Sequence, residues 1–394
     1  MTSPSDSRAP ILPPATLAWL GGGQLGRFFV AAAHELGYRV WVLDPDPESP
    51  AGRIADRHIA AAYDDAAALA EIAAHCAAVT TEFENVPAAT LTQLANTLPA
   101  HPAAAAVAIC QNRVAEKNFL RTHDFPHVAF AAIEGEEDIA AANAGLFPGI
   151  LKVARLGYDG KGQAVVTDRE AALAAFRRFK GEPCVLEQKL KLDCEFSVVL
   201  ARTASDEIRL FPTAENQHTR GILDVSIVPA RIPPYLAGNA QDIAIYIVEE
   251  LDYVGVLAVE FFASYDQIFV NEMAPRPHNS GHYTLDACLT SQYEQQVRAL
   301  CGLPLGDPRA HSASVMVNLL GDLWFDAQGA AREPDWNALY CIPSLKLHLY
   351  GKKSARPGRK MGHFTVVDAN PEIAQKTAFN ARQAIGIIGI RDAD

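Results

Sequence analysis

Apolar and polar positions alternate along this chain at two periods, and the alternation sets out its elements. An apolar run over 17–20 is followed by three glycines, then by a stretch over 24–36 with apolar residues at helical spacing. A second apolar run over 38–43 ends at Asp44. This order predicts a βαβ unit. An alanine-rich stretch over 65–76, an apolar run over 78–81 and a helical pattern over 88–98 continue it, so residues 16–112 read as a doubly wound α/β domain around a Rossmann-like parallel sheet. A helix is expected over 112–122. Beyond it the runs shorten, and 123–200 reads as a small α+β lobe around one glycine-dense loop, with a lid over about 123–190. Residues 205–300 carry several strand patterns, one hairpin and a long helix near 284–301. The proline-, glycine- and lysine-rich stretch 343–363 marks a third, β-containing domain. The expected organisation is α/β and α+β in three domains, over 16–112, 113–303 and 304–394.

Composition narrows the class. With 394 residues, 49% hydrophobic and 20% charged, the chain can bury sizeable cores in two or three domains. The formal charge of −12, from 34 basic and 46 acidic residues, argues against nucleic acid or an anionic membrane as the main partner. Seven cysteines without a CxxC pair read as reduced thiols. Residues 1–15 are polar and proline-rich, and no stretch approaches ~18 apolar residues, so a cytoplasmic protein is expected.

Five segments carry candidate chemistry. Gly21-Gly22-Gly23-Gln24-Leu25-Gly26 fits G-x-G-x-x-G between a strand and a helix, where backbone N–H groups and the helix dipole can hold an anion. With Asp44 it is compatible with an NAD(P)-dependent oxidoreductase, and equally with a tight turn that needs glycine for geometry alone. Gly157-Tyr158-Asp159-Gly160-Lys161-Gly162-Gln163, preceded by Lys152 on a strand, can close its amides over phosphates or form a plain hairpin turn. It lacks the G-K-[ST] ending and is followed by a strand, which excludes a Walker A site.

Glu260 and Glu272 belong to two strand patterns joined near Asp266. A hairpin centred there sets them opposite each other on one face, about 5 Å apart, where they repel unless a proton or cation lies between them. Oxygen-only ligands of this kind suit Mg²⁺ on nucleotide phosphates; otherwise both are solvated surface glutamates. The following Pro275-Arg276-Pro277-His278-Asn279-Ser280-Gly281-His282 can aim Arg276 and His278 at neighbouring charge or form a solvated loop. Pro277 and Gly281 make it too poor a helix for a zinc pair. Finally, Lys352, Lys353, Arg356, Arg359 and Lys360 fall within nine positions of an acidic chain. They form either a solvated loop or a seat for a small phosphorylated metabolite, and no interleaved aromatics suggest nucleic acid.

Taken in order, GGGQLGR (21–27), TTEFENVP (80–87), QNRVAEKNFL (111–120), GYDGKGQ (157–163), GVLAVEFF (255–262), VNEMAPRPHNSGH (270–282) and RPGRKMGH (356–363) resemble the N5-carboxyaminoimidazole ribonucleotide synthase family of ATP-grasp enzymes in purine biosynthesis. The resemblance runs over nearly the whole chain. It implies a three-domain ATP-grasp fold, a homodimer, no NAD, and conversion of 5-aminoimidazole ribonucleotide, bicarbonate and Mg-ATP into the N5-carbamate, ADP and phosphate. ATP would then be held by Arg113, Lys152, the loop Gly157 to Gln163, Glu195 on the ribose, His218, Asn271 and Glu272. Glu187, Gln188, Lys189 and Leu190 would form the strand edge that pairs with adenine. Glu260 and Glu272 would bind Mg²⁺.

The ribonucleotide would meet Lys352, Arg359 and Lys360 at its phosphate, Glu82, Tyr158 and Asp159 at its ring, and Gln24 and Leu25 in the glycine turn. The expected catalytic residues are Asp159, to orient or deprotonate the amine, Arg276, to stabilise an anionic intermediate, and Lys352. Two departures stand out. Lys152-Val153-Ala154-Arg155-Leu156-Gly157 replaces the family's K-T-R-R-G-G run, and Ala274 stands where many ATP-grasp enzymes carry an asparagine metal ligand. A related ligase, formate-dependent glycinamide ribonucleotide transformylase, shares the style of the segment after Glu272.

Overall fold

The computed structural model describes residues 9–387 except 84, 156, 158–161 and 327. Among them the strands form three sheets. In the first, Thr16–Leu20, Arg39–Leu43, Arg57–Ile59 and Ala78–Thr81 run parallel, with Thr16–Leu20 between the second and fourth strands. Leu17, Ala18, Trp19 and Leu20 are all fully buried, as a strand covered on both faces must be. The helix Gln24–Glu35 packs Phe29, Val30 and Ala33 onto this sheet and also meets Tyr293, Val297 and Leu300 of the helix Gln292–Leu300.

The second sheet has nine strands and forms the body of the molecule. Gln267–Ala274 lies at one edge, followed inward by Gly255–Ser264, Cys194–Arg202, Ala214–Thr219 and Ile222–Val228. The later strands Ala313–Leu320, Lys360–Asp368 and Leu345–Leu349 continue this same sheet. The third sheet, Phe130–Ile133, Cys184–Gln188, Gly149–Val153 and Gln163–Val166, is the small lobe, with the glycine-dense segment joining its last two neighbours.

The hairpin differs instructively from the expected one. Tyr265 and Asp266 both have positive φ, 47° and 61°, the backbone of a two-residue primed turn, and Ser264 pairs with Gln267. That register alone would set Glu260 against Asn271. A bulge after Phe261↔Val270 takes up Asn271, and Glu260 then pairs with Glu272. The opposition of the two glutamates stands, produced by a bulge.

Two helices also differ. The expected helix near 284–301 is split into Thr284–Ala287 and Gln292–Leu300. Between them Leu289 and Thr290 donate their N–H groups to the carbonyls of Arg309 and Asp307, so the backbone bonds leave the helical ladder. A 17-residue helix, Pro234–Glu250, lies within the stretch 205–300 where strands, a hairpin and one later helix are expected; its Leu236, Ala240, Ala244, Ile247 and Val248 form a buried stripe at helical spacing.

Candidate active site

The helix Arg113–Thr122 starts where the chain leaves the first domain. Asn112 caps it, accepting from Val114 N at 2.9 Å and Ala115 N at 3.2 Å. Arg113, Glu116 and Lys117 share one face of its first turns and meet the bulged hairpin strand. Arg113 Nη1 lies 3.0 Å from Glu272 Oε2, and its Nη2 donates to Gly157 O at 3.2 Å. Glu116 accepts from Met273 N at 2.6 Å, and Lys117 Nζ donates to Asn271 O at 2.8 Å.

Glu187, on the strand Cys184–Gln188, takes Lys152 Nζ at 2.7 Å on one oxygen and lies 3.5 Å from Lys117 Nζ on the other. The result is a line of charge running from the hairpin into the small lobe, from the partly exposed Glu272 and Arg113 to the buried Lys117, Glu187 and Lys152. Burial pushes the Lys152 ammonium below its ordinary range against the pull of Glu187. Burial raises Glu116 to about 8, with the Glu272 charge adding to the effect. Burial also opposes ionisation of Glu272, but Arg113, with Lys152 and Arg276, holds that carboxyl below the usual range.

The segment Glu187 to Leu190, expected to pair with adenine, begins in a strand that ends at Gln188. Cys184–Gln188 is an inner strand: Glu187 pairs with Phe130 on one side and Ile150 on the other. Gln188 N and Lys189 N are bonded to Ala129 O and Pro148 O at 2.9 Å each. The Glu187 side chain serves the lysines. Of the loop, Gly162 donates no side chain but must be glycine: φ is +70°, and a Cβ would lie 2.4 Å from Val153 Cγ2. Lys152 pairs with Gln163 across the turn. Tyr158, Asp159, Gly160 and Lys161 lie outside the described residues.

On the opposite side of the hairpin, Glu195 and His218 stand on neighbouring strands, with His218 Nδ1 3.0 Å from Glu195 Oε2. Burial disfavours the charged imidazole, yet Glu195 and Glu260 together raise His218 above its usual value. His278 Nε2 is 3.5 Å from Glu260 Oε1. Its Nδ1 accepts from Ser280 N at 3.3 Å, which leaves the ring proton on Nε2, facing the carboxylate. Burial, with Arg276 and Lys360 nearby, holds His278 neutral. Burial raises Glu260, with Glu272 and Glu195 adding to it and His218 opposing.

Beside this group lies a cleft of about 530 Å³. Gln24, Leu25, Glu82, Arg276, His278, Lys352, Arg359 and Lys360 all line it, which brings together the expected ribonucleotide residues that the structure describes. Glu82 is 5% exposed and accepts from Gly23 N at 2.5 Å and Leu25 N at 3.0 Å. Burial raises its pKa against these amides and Lys352. The turn amides at the helix start are therefore taken up by a carboxylate of the chain itself. Asp44 accepts from Tyr63 Oη at 2.6 Å and Asp46 N at 2.8 Å. Both halves of the dinucleotide reading are occupied internally.

Lys352 Nζ donates to Lys360 O at 2.7 Å and lies 5.4 Å from the Tyr350 ring centre; Arg359 donates to Ser354 O at 2.7 Å. Lys360 also contributes charge at Glu260, His218 and His278, so it stands between the two groups. Asn279 and Arg356, which lie within segments read in the sequence, also line the cleft, whereas Glu116 and Lys117 belong to the site and carry no such sign in the sequence. Only the i, i+3, i+4 spacing of Arg113, Glu116 and Lys117 hinted at a shared face.

Residues 15–111 match the ribonucleotide synthetase preATP-grasp domain, 118–293 the ATP-grasp domain and 314–377 the phosphoribosylaminoimidazole carboxylase C-terminal domain. An N5-carboxyaminoimidazole ribonucleotide synthase of Brucella melitensis is 44% identical over 357 residues, 90% of this chain and 96% of that one. A crystal structure of the ADP complex of an N5-carboxyaminoimidazole ribonucleotide synthetase superposes with a TM-score of 0.88 at 41% identity, over 95% of this chain and 98% of that one. The Aspergillus clavatus enzyme, in complex with ADP and 5-aminoimidazole ribonucleotide, gives 0.85 at 30% identity over 95% and 99%. Similarity of this depth across three consecutive domains places the chain in the N5-carboxyaminoimidazole ribonucleotide synthase family of ATP-grasp ligases.

Proposed function

We propose that the chain carboxylates 5-aminoimidazole ribonucleotide with bicarbonate, using ATP and releasing ADP and phosphate, in purine biosynthesis. The observation that carries this reading is the juxtaposition of two groups. A line of buried lysines with Arg113 and the paired glutamates, suited to nucleotide phosphates, adjoins a cleft lined by Glu82, Lys352, Arg359 and Lys360. The relatives' complexes with ADP and with 5-aminoimidazole ribonucleotide supply the matching ligands.

The donor set fits Mg²⁺. Glu260 and Glu272 face each other, and Asn271 Oδ1 beside them is buried with no hydrogen-bond partner, so three oxygens are available where a hard cation needs them. Bound there, Mg²⁺ would neutralise and orient the ATP phosphates. Lys152 and Arg113 hold the same phosphates, exchanging part of their present pairing with Glu187 and Glu272 for the nucleotide. Glu195 accepts the ribose hydroxyls. The bicarbonate oxygen attacks the γ-phosphorus, the bond to the β-phosphate oxygen breaks, and carboxyphosphate and ADP result. The exocyclic amine of the ribonucleotide then attacks the carboxyl carbon, phosphate leaves, and the amine proton passes to a base, for which Asp159 is the candidate. Arg276 balances the anionic intermediate, Lys352 and Arg359 hold the ribonucleotide phosphate, and Lys360 faces both groups. Catalysis here is positioning and charge neutralisation.

The enzyme acts in this reading as a cytoplasmic homodimer, which sedimentation velocity checks. No helix among the described residues is long and apolar enough to cross a membrane. The deciding experiment is ADP release with Mg-ATP and bicarbonate, with and without 5-aminoimidazole ribonucleotide. Strong dependence on the ribonucleotide, with labelled bicarbonate entering an acid-labile product, is the expected result. ADP release indifferent to it, or supported by formate in place of bicarbonate, would sink the assignment.

A further inference from the structure

The pairing of Glu260 with Glu272 exists only because of the bulge at Asn271. Along the strand Gly255–Ser264, Val259 and Phe261 face the large apolar core, and on its partner Ile268, Val270 and Met273 join them. The spacing from 268 to 270 is two residues and from 270 to 273 is three, which is the signature of one inserted residue. Continued without the insertion, the register would set Glu260 against Asn271 and turn Glu272 toward the apolar core, opposite Val259. A one-residue slip moves every later side chain to the other face.

A bulge at this place has little help from the sheet, because Gln267–Ala274 is the edge strand. Its outward N–H and C=O groups have no further strand to meet. They are met instead by the chain around the helix Arg113–Thr122. Val270 N donates to Pro126 O at 2.8 Å. Lys117 Nζ donates to Asn271 O at 2.8 Å and to Val270 O at 3.4 Å, and Glu116 Oε1 accepts from Met273 N at 2.6 Å. The two side chains thus bracket the inserted residue, one bonded before and at it, the other two residues after. Both are 1% exposed, and water does not compete for these groups.

We propose that Glu116 and Lys117 are positioning residues that lock the bulge at Asn271 and so hold Glu272 on the face of Glu260. Neither touches the reacting atoms; they act through the backbone of 270–273. Lys117 also reaches Glu187, the partner of Lys152, so the same ammonium ties the hairpin to the lysine of the small lobe. The proposal rests on Glu260 and Glu272 being the cation ligands.

The test is Mn²⁺ binding to the full chain at saturating ADP, followed by the loss of the free Mn²⁺ signal in electron paramagnetic resonance. Glu272→Gln serves as control: if the parent binds no Mn²⁺, or Glu272→Gln binds it as the parent does, the cation reading itself fails. With that control in place, Glu116→Met and Lys117→Met should each weaken Mn²⁺ by about tenfold or more, the usual effect of removing a group that orients a metal ligand. Glu116→Gln keeps an acceptor oxygen for Met273 N and should stay within about threefold of the parent, with the Met273 amide still protected from hydrogen exchange. A role through charge alone would move Glu116→Gln and Glu116→Met alike. Parent-like Mn²⁺ affinity in either folded Met variant overturns the proposal, and so does a tenfold loss in Glu116→Gln. Should the Met variants not fold, Glu116→Gln with its Met273 amide exchange decides by the same criterion.

Discussion

At the scale of single residues the site is built from groups whose partners are fixed before any substrate arrives. Glu82 is the clearest case. Its two oxygens hold the amides of Gly23 and Leu25, so the glycine turn and the carboxylate define one another's position in the cleft. A Cβ on Gly23 would sit 2.3 Å from Glu82 Oε1, backed by a fully enclosed side chain. Gly23→Ala should therefore displace Glu82 and raise KM for the ribonucleotide by up to about a hundredfold, with KM for ATP nearly unchanged. Steady-state kinetics with each substrate varied in turn checks this; equal effects on both KM values would mean the turn does not belong to the ribonucleotide cleft. The glycines were legible in the sequence and their purpose was not. G-x-G-x-x-G reports a backbone that approaches something closely, and here that something is a glutamate 59 positions away. Glu260 and Glu272 read as a pair from even spacing about Asp266, but the turn is centred between Tyr265 and Asp266, and the bulge at Asn271, which the spacing does not show, restores their opposition. Glu116 and Lys117 were invisible, because what they bond is the edge of a strand some 150 residues later in the chain.

At the scale of elements the helix Arg113–Thr122 deserves its cap. It has ten residues, a mostly polar composition and three charged side chains committed in its first turns, so its start is stabilised chiefly by Asn112. Asn112→Ala should lower stability by about 1 kcal/mol and, by loosening the turn that carries Arg113, raise KM for ATP. Urea unfolding and ATP saturation curves read the two effects; a stability loss with ATP saturation unmoved would show that the first turn holds its place without the cap. The helix Pro234–Glu250, within a stretch read only for its strands, hairpin and later helix, shows why element type was only partly readable. Ile243, Ile245, Ile247 and Val248 supply the β-branched density of a strand, yet the chain buries a stripe at i, i+4, i+8 against the large sheet, and tertiary burial overrides the propensity. The split at 288–291 is the converse: helical spacing continues through a stretch whose amides bond to 307–309 instead.

At the scale of the whole molecule the domains meet in an aromatic joint beside the cleft. Phe28, from the first helix, lies 5.1 Å from Tyr293, 5.6 Å from His282, 5.7 Å from His348, 5.8 Å from His363 and 5.9 Å from Tyr350 by ring centres. Asp286, His348 and His363 stand close together: His348 is 2.9 Å from Asp286 and stacks on His363 at an interplanar angle of 20°. The joint has another property. His282 bonds Tyr293 and His363 bonds Tyr350 through Nδ1, while both Nε2 atoms are buried without a hydrogen-bond partner. Burial, reinforced by the neighbouring histidines, holds both rings neutral, well below the ordinary value of 6.5. In the unfolded chain they titrate near that value, so below it the unfolded state binds protons that the folded state refuses, and stability falls as pH falls. Each such histidine contributes a slope of about 1.4 kcal/mol per pH unit between 6.5 and its depressed folded value. Carboxylates raised by burial, Glu116 among them, act with the opposite sign over the same range, so the total slope is not diagnostic and the difference between two chains is. His363→Asn removes one proton from the balance. Its unfolding free energy, measured in urea from pH 6.5 to 5, should decline less steeply than that of the parent by about 1.4 kcal/mol per unit, while the two curves run parallel above pH 7. Parallel curves throughout would mean that His363 takes up its proton in the folded joint, and that the buried nitrogen has a partner able to receive it.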